Sequence, residues 1–592
     1  MRKIVILLLL LFINVPMFIH ARHVSGVQKE IDDIKDGFKS MITVITYDKE
    51  GKLLHSGNGF YISKNGTGIA SFSLFEGAHK AIVVNYKGKE SQVARILGAS
   101  NTYDLVKFST QTEDETDCLP LAANPVTDTG TPLHLIRYSG KKKSTPVTTS
   151  IKKSEDFEGF KYLHVELANN EKDLGCPLLN GNGELVAIIQ KNVTDSAKEA
   201  CAIDARFCNK INISSTSILD ADLRSIEIPK GLPETEKDAL TLIYMLGYKD
   251  SILAINAAND FIEQYPDNAE GYVNRASFYA SKQLYDLCEN DFKTALEKAG
   301  NEKSTMSADE IHNNFSKLIY NKVLYSPEPK AENWTLDRAI EEAQLAYEIS
   351  PSPYYLLQQA NCYYGKKDFT KAYDNYIKIN TTTFQDQQTW SPQATAETWI
   401  LAARSFEQSL KQRNDSITKA DSVHIIALID SALQVFPQPF GPNEARFILE
   451  RAQRYEQIKE FRKAVMDYNE YEKIIGPKNL NDKFYYIREQ AELKCGMYQQ
   501  ALDDIRTATA FNPKDPFYPV EEAIVLLNAS MYKEAITACE KSLQKIPNNP
   551  DCYKIMGIAY GELKNKEKAM EYLQKAKQLG DTSVDTFMKK YE

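Results

Sequence analysis

Ala254, Cys288, Ala339, Ala372, Ile425, Ala464, Ala501, Ala535 and Ala569 follow one another at intervals of 34, 51, 33, 53, 39, 37, 34 and 34 residues. Around each of them apolar residues recur every three to four positions, the period of an amphipathic helix. A near-constant interval of this length confines the chain to a stack of one supersecondary unit, because each unit buries its apolar face only against its neighbours. Pro266, Pro351, Pro437, Pro513 and Pro547 each fall twelve residues after one of these positions, where a missing N–H ends a helix. The spacing predicts nine helix pairs over residues 235–592, an all-α solenoid. Val584 to Tyr591 mixes Lys and Asp with apolar residues, as a solubilising cap would.

The first half has a different period. Met41 to Tyr47, Phe60 to Ser63, Ala81 to Val84, Gln92 to Leu97, Leu105 to Phe108 and Glu184 to Ile189 read as short strands separated by Gly-bearing turns. Many short strands without long helices between them predict an all-β sandwich or pair of barrels. The acidic run Glu155, Asp156 and Glu158 is expected in a loop as a solvated face. Pro229, Gly231 and Pro233 mark the boundary at which the period changes from 2 to 3.6.

At the N-terminus Arg2 and Lys3 precede an apolar run from Ile4 to Ile13, with Ala21 as a small residue beyond it. This reads as a secretory signal over residues 1–21. The run is too short for a membrane span of about 20 residues. The expectation is an exported chain in the periplasm or cell envelope, with no membrane span once the signal is cleaved. The net charge of -9, lowered further when Arg2 and Lys3 leave, excludes a basic nucleic-acid face. Nine cysteines in an exported chain raise the question of disulfides. Cys118, Cys176, Cys201 and Cys208 lie in the first half and allow three pairings, which sequence does not separate. The other five sit in helical patterns as small buried residues. No metal-ligand spacing and no nucleotide-binding or hydrolase motif occurs, so no cofactor is expected.

Two resemblances sharpen this reading. Tyr553, Gly557 and Tyr560 on one helix, then Ala569, Leu573 and Ala576 on the next, resemble the tetratricopeptide repeat. The same frame fits Tyr272, Ala276, Tyr279, Cys288, Phe292 and Ala295, and again Ile448, Ala452, Tyr455, Ala464, Tyr468 and Tyr471. In the first half, Gly57-Asn58-Gly59-Phe60-Tyr61-Ile62, Glu76-Gly77-Ala78, Tyr103-Asp104-Leu105 and Gly175-Cys176-Pro177-Leu178-Leu179-Asn180 occur in the order of a trypsin-type, HtrA-like peptidase. That resemblance implies a double β-barrel over residues 30–228.

The catalytic positions that the resemblance implies are degenerate. Ser73 stands where the family has its histidine, Leu174 where it has its serine, and Lys172 at the glycine that helps form the oxyanion hole; only Asp104 is kept. Acyl transfer needs a nucleophile, a base and an orienting acid, so the expectation is a pseudoprotease, with Asp104 as a structural residue. The alternative is an active trypsin-like or thiol endopeptidase with an atypical site. In it Cys176 is the nucleophile, with His79, His134 or His164 as base.

Repeats of this kind line a concave wall with their first helices and hold a peptide or a partner's helix there. Groove positions are expected at Glu270, Val273, Ser277 and Ala280, at Arg446, Leu449, Gln453 and Glu456, and at Asp551, Lys554 and Ile558. The Lys/Asn pair with which some relatives grip a C-terminal carboxylate is absent. The expected function is that of an exported, non-catalytic adaptor binding a polypeptide partner.

Overall fold

The computed structural model describes residues 34, 36–137, 145–168, 170–191, 198–301, 304–327, 331–384 and 390–592. The leader expected over residues 1–21 lies outside them.

Twelve strands form two closed antiparallel barrels of six. The first contains β1 (Met41–Tyr47), β2 (Leu53–Tyr61), β3 (Thr67–Ala70), β4 (Lys80–Asn85), β5 (Glu90–Ser100) and β6 (Leu105–Thr110), closed in the order β1-β2-β3-β6-β5-β4. The second contains β7 (Pro132–Leu135), β8 (Val147–Phe157), β9 (Phe160–Val165), β10 (Pro177–Leu179), β11 (Leu185–Gln190) and β12 (Ala200–Asp204), closed in the order β10-β11-β12-β9-β8-β7. This is the trypsin-like double barrel. Alternation explains β1: Val44 is fully buried between its partners Gly57 on β2 and Val83 on β4. One apolar core joins the barrels, with Met41, Phe60, Ile69 and Leu105 of the first packed among Leu178, Ile188 and Ile203 of the second.

The acidic run is not a loop. Glu155 and Asp156 end β8 and Glu158 lies in the turn to β9. Asp156 pairs with Lys161 at 2.7 Å and Glu155 with Lys153. The outer end of β8 projects into water, so its strand character comes from pairing with β9 rather than from apolar alternation.

Gly98 marks a close approach in β5: a Cβ there would stand 2.6 Å from the backbone carbon and oxygen of Ile211. Gly98→Ala is therefore expected to cost about 1–3 kcal/mol, as overpacking does when backbone has to move. Gly181→Ala, with nothing within 4 Å of its Cβ, serves as the control. Urea unfolding midpoints of the two variants measure the difference.

The connection at residues 226–231 is held to the first barrel. Ile226 and Ile228 are buried in its core, Ile96 N–H donates to Pro229 O at 2.8 Å, and Gly231 N–H donates to Ile96 O at 2.8 Å. Contacts divide the chain into two compact units, up to Met306 and from Ser307 onward. The first unit thus includes two helix pairs beyond the barrels. Leu242 enters the first barrel's core, and Arg95 on β5 pairs with Asp260 at 2.7 Å.

The expected nine helix pairs are present among the described residues. All nine marker residues lie on second helices and are buried, eight of them fully and Ile425 at 2%. The two long intervals have a plain cause. Their first helices, Ala308–Tyr325 and Pro392–Gln412, run to 18 and 21 residues where the regular ones have about thirteen, and each is preceded by a long connection, 299–307 and 382–391. The last helix, Asp585–Tyr591, caps the stack.

A polar clamp recurs inside the repeats. Arg275, Arg451 and Arg488 on first helices each grip, with two nitrogens, the carboxylate sixteen residues on: Asp291, Asp467 and Asp504, at 2.7–2.9 Å. A further nitrogen reaches back to the preceding pair, to Asn259, Asp430 and Glu472 respectively, at 2.6–2.7 Å. Each arginine thereby ties three helices together, with the bidentate geometry that suits a planar guanidinium.

Candidate functional site

Both barrels contribute to the place where a trypsin-type peptidase keeps its chemistry. From the first barrel comes the short helical turn Phe72–Leu74 and, from the β5–β6 turn, Asp104, held at φ 45°. Ser73 N–H donates to Asp104 Oδ1 at 2.8 Å and its hydroxyl approaches Oδ2 at 3.5 Å. The structure thus brings together the two residues expected at the histidine and aspartate positions. Tyr103 secures the turn: its hydroxyl donates to Glu158 at 2.8 Å, its ring stacks at 3.8 Å on Phe207, and the Gln190 amide donates to its carbonyl.

From the second barrel comes the turn Glu171–Asp173, followed by Leu174 and Gly175. Asn58 on β2 clasps it, donating from Nδ2 to the carbonyls of Lys172 at 2.8 Å and Leu174 at 3.1 Å. Gly175 takes φ +73° with Asn58 O close to where a Cβ would stand, at 3.1 Å, so only glycine fits without strain. Beneath the turn Asp173, 2% exposed, receives two nitrogens of Arg137 at 2.6 Å.

The backbone donors of this turn are already committed. A peptidase of this type offers the N–H groups of the nucleophile and of the residue two before it to the substrate carbonyl. Here Leu174 N–H donates to Glu171 O at 3.3 Å and Lys172 N–H to Asn170 Oδ1 at 3.1 Å. The Leu174 side chain is half-buried against the shared core. The position therefore carries neither a nucleophile nor a free pair of donors.

Cys176 lies two residues beyond Leu174. It is fully buried, and burial, reinforced by Asp173, pushes its thiol well above the ordinary range, opposite to the shift that activates a nucleophile. The histidines lie elsewhere. His79 contacts Glu227 at 3.1 Å, His134 contacts Thr148 across β7 and β8 at 3.2 Å, and His164 contacts Glu199 at 2.6 Å with Cys201 3.9 Å away on β12. Among the described residues Cys118, Cys176 and Cys208 are free thiols. No group of three or more candidate ligands is poised for a metal ion among the described residues.

The expected groove residues divide. Arg446, Leu449 and Gln453 line one concavity of about 480 Å³ between the Pro392–Gln412 and Pro442–Gln457 helices, with Glu397, Arg404 and Glu450. Its walls alternate in charge: Arg446 meets Glu397 at 2.6 Å and Arg404 meets Glu450 at 2.9 Å. Glu270 borders a separate concavity with Leu240, Tyr244 and Asn274. Ser277 is exposed, whereas Val273 and Ala280 are buried and face the packing, not the wall. Glu456 accepts from the Tyr468 hydroxyl at 3.0 Å. Asp551 is exposed, but Lys554 is held by Asp581 at 2.8 Å and Ile558 packs against the C-terminal cap. The cap thus takes up the last stretch of wall, an arrangement that helical periodicity does not reveal.

Sequence reading missed Asn58 and Arg137. Asn58 lies within the Gly57–Ile62 segment, but its reach to a turn more than a hundred residues away has no sequence signal; Arg137 belongs to no motif at all.

No protein-family model matches the chain, and no curated protein matches it. Among solved structures, the chain is similar to the Rv3671c protease from M. tuberculosis in its active form, at 18% identity and a TM-score of 0.26, over 30% of this chain and 80% of that one. The inactive form of that protease, a serine-to-alanine mutant from strain H37Rv, is similar at 17% identity and a TM-score of 0.25, over 30% of this chain and 85% of that one. Likeness at this level carries no chemistry, and the double barrel rests on its own strand pairing.

Proposed function

We propose that the chain is an exported, non-catalytic adaptor whose barrels are a pseudoprotease and whose helix pairs, read as tetratricopeptide repeats, hold a polypeptide partner. One observation carries the first part: Leu174 and Ser73 stand at the nucleophile and base positions while the neighbouring amide donors are satisfied within the turn. A leucine side chain has no lone pair to attack a carbonyl, and a serine beside a carboxylate has no imidazole's capacity to accept a proton near neutrality. Burial of Cys176 removes the support for a thiol route.

The concavity at Arg446, Leu449 and Gln453 supports the second part. It offers an apolar floor and charges of both signs on facing first helices, which suits an extended polypeptide more than a small anion or a nucleic acid. Within the same compact unit, exposed Asp551 extends the proposed wall, while Glu270 and Ser277 belong to the other unit. Export rests on the leader's sequence; no helix among the described residues is long and apolar enough to cross a membrane.

The test is binding of the full chain to fluorescently labelled casein, an unfolded polypeptide, measured by anisotropy. Leu449→Asp together with Gln453→Ala is expected to weaken binding at least tenfold, the loss of about 1.4 kcal/mol. Exposed Lys533→Ala on a second helix is expected to leave it unchanged. Equal binding by all three proteins would remove the groove from the account.

A further inference from the structure

In five repeats a small residue stands twelve positions before the marker on the second helix: Ala276, Ala360, Ala452, Ala523 and Gly557. The four alanines are fully buried. Nine positions before the marker stand Tyr279, Tyr363, Tyr455, Leu526 and Tyr560. In the repeat marked by Ala501 the same two positions hold Glu489 and Glu492, which are 0% and 3% exposed. Carboxylates stand where the sister repeats pack alanine or glycine and, in four of the five, a tyrosine ring.

Their partners fall short of what two carboxylates need. Glu489 Oε2 accepts from the Gln490 amide at 2.7 Å, while Glu489 Oε1 and Glu492 Oε2 are buried with no hydrogen-bond partner. Arg488 stands 4.0 Å from Glu492 but is already spent on Asp504 and Glu472. The charged groups acting on the two glutamates from neighbouring helices are acidic: Asp503 and Asp504 from Tyr498–Phe511 and Glu521 from Tyr518–Asn528, while Glu472 from Phe461–Ile475 takes the Arg488 guanidinium. From their own helix Arg488 acts on Glu492 and Lys494 on Glu489.

We infer that helix pair 482–511 is a pH-responsive joint of the solenoid, closed while Glu489 and Glu492 carry protons and loosened when they lose them. A protonated carboxyl is neutral and supplies an O–H donor in a place rich in acceptors. An ionised one, buried beside Asp504 and Glu521, has to be hydrated, and hydration requires the helices to part. Burial first, and the neighbouring acids next, push both groups up to about 8. The folded-state values lie above the unfolded ones, so this contribution to stability is fully present below the ordinary carboxyl range and is lost as pH rises through about 8. The inference stands independently of whether the barrels cut peptide bonds.

Hydrogen exchange of the full chain, corrected for the intrinsic pH dependence of exchange, tests it. Between about pH 6 and pH 8.5, protection across 482–511 is expected to fall by on the order of tenfold or more, since each ionising group contributes up to tenfold per pH unit. Protection across the Pro550–Glu562 and Lys566–Gln578 helices stays level. Glu489→Ala with Glu492→Tyr, the pair that sister repeats use, and Glu489→Gln with Glu492→Gln as a second route, are both expected to hold protection constant with pH. A wild-type joint whose protection does not change, or an equal loss in both double variants, would overturn the inference.

Discussion

Arg488→Ala is expected to lower the stability of the second compact unit by about 3–5 kcal/mol, the cost of leaving buried charge without its partner. Arg488 is among the least exposed arginines of the chain, with a side chain 7% exposed, and its guanidinium holds Asp504 by two nitrogens and Glu472 by a third. Its loss strands Asp504, itself buried, and leaves Glu472 on the preceding pair without the guanidinium that both share. Arg506→Ala is the control. Arg506 also pairs with an acid sixteen residues on, Glu522 at 2.8 Å, but is 52% exposed, and an exposed pair is worth about 0–1 kcal/mol. Thermal unfolding of the two variants separates them. Replacing both members, Arg488→Met with Asp504→Leu, is expected to recover much of the loss, because an apolar pair of similar volume restores the packing without the charge. Equal melting of Arg488→Ala and Arg506→Ala would show that the clamp contributes little.

The second large effect concerns the barrels. Restoring side chains alone, as Ser73→His with Leu174→Ser, is expected to yield no turnover of casein and no labelling by a fluorophosphonate. The reason lies in the backbone. A single oxyanion donor is worth about 10²–10³ in kcat, and here both N–H groups are used up, Leu174 by Glu171 and Lys172 by Asn170. Asn58 holds the turn in that form through the two carbonyls flanking Asp173. Robust turnover by the double variant would mean that the turn re-forms readily and that only the two side chains separate this domain from a working peptidase.

The parts of this molecule that were legible in sequence are those written in one dimension. A stack of helix pairs puts its packing into a fixed interval, so Ala254 to Ala569 could be found by counting, and all nine fall where the count placed them. Strands with a strong apolar face, such as β1 and β11, were equally plain. β8 was not, because its outer half is a polar ribbon held by pairing with β9 rather than by burial. The clamps at Arg275, Arg451 and Arg488 were countable, at a constant sixteen residues from their acids, yet a search for apolar periodicity passes over charges. The groove was only partly legible. Helical phase assigns a residue to a face, but Val273 faces the packing and Ile558 lies against the cap, and both depend on what packs alongside. At the candidate site the sequence reveals which side chains are present, whereas the commitment of two amide protons is a matter of local backbone course with no side-chain signature.

The central claim is that the barrel domain keeps a peptidase's architecture without cutting, and incubation of the full chain with casein, followed by mass spectrometry of the products, tests it most directly. The account predicts intact casein recovered in complex with the chain. Casein fragments that disappear when Asp104→Asn or Cys176→Ala is introduced would contradict it, and would place the reaction at the carboxylate or the thiol that the variant removed.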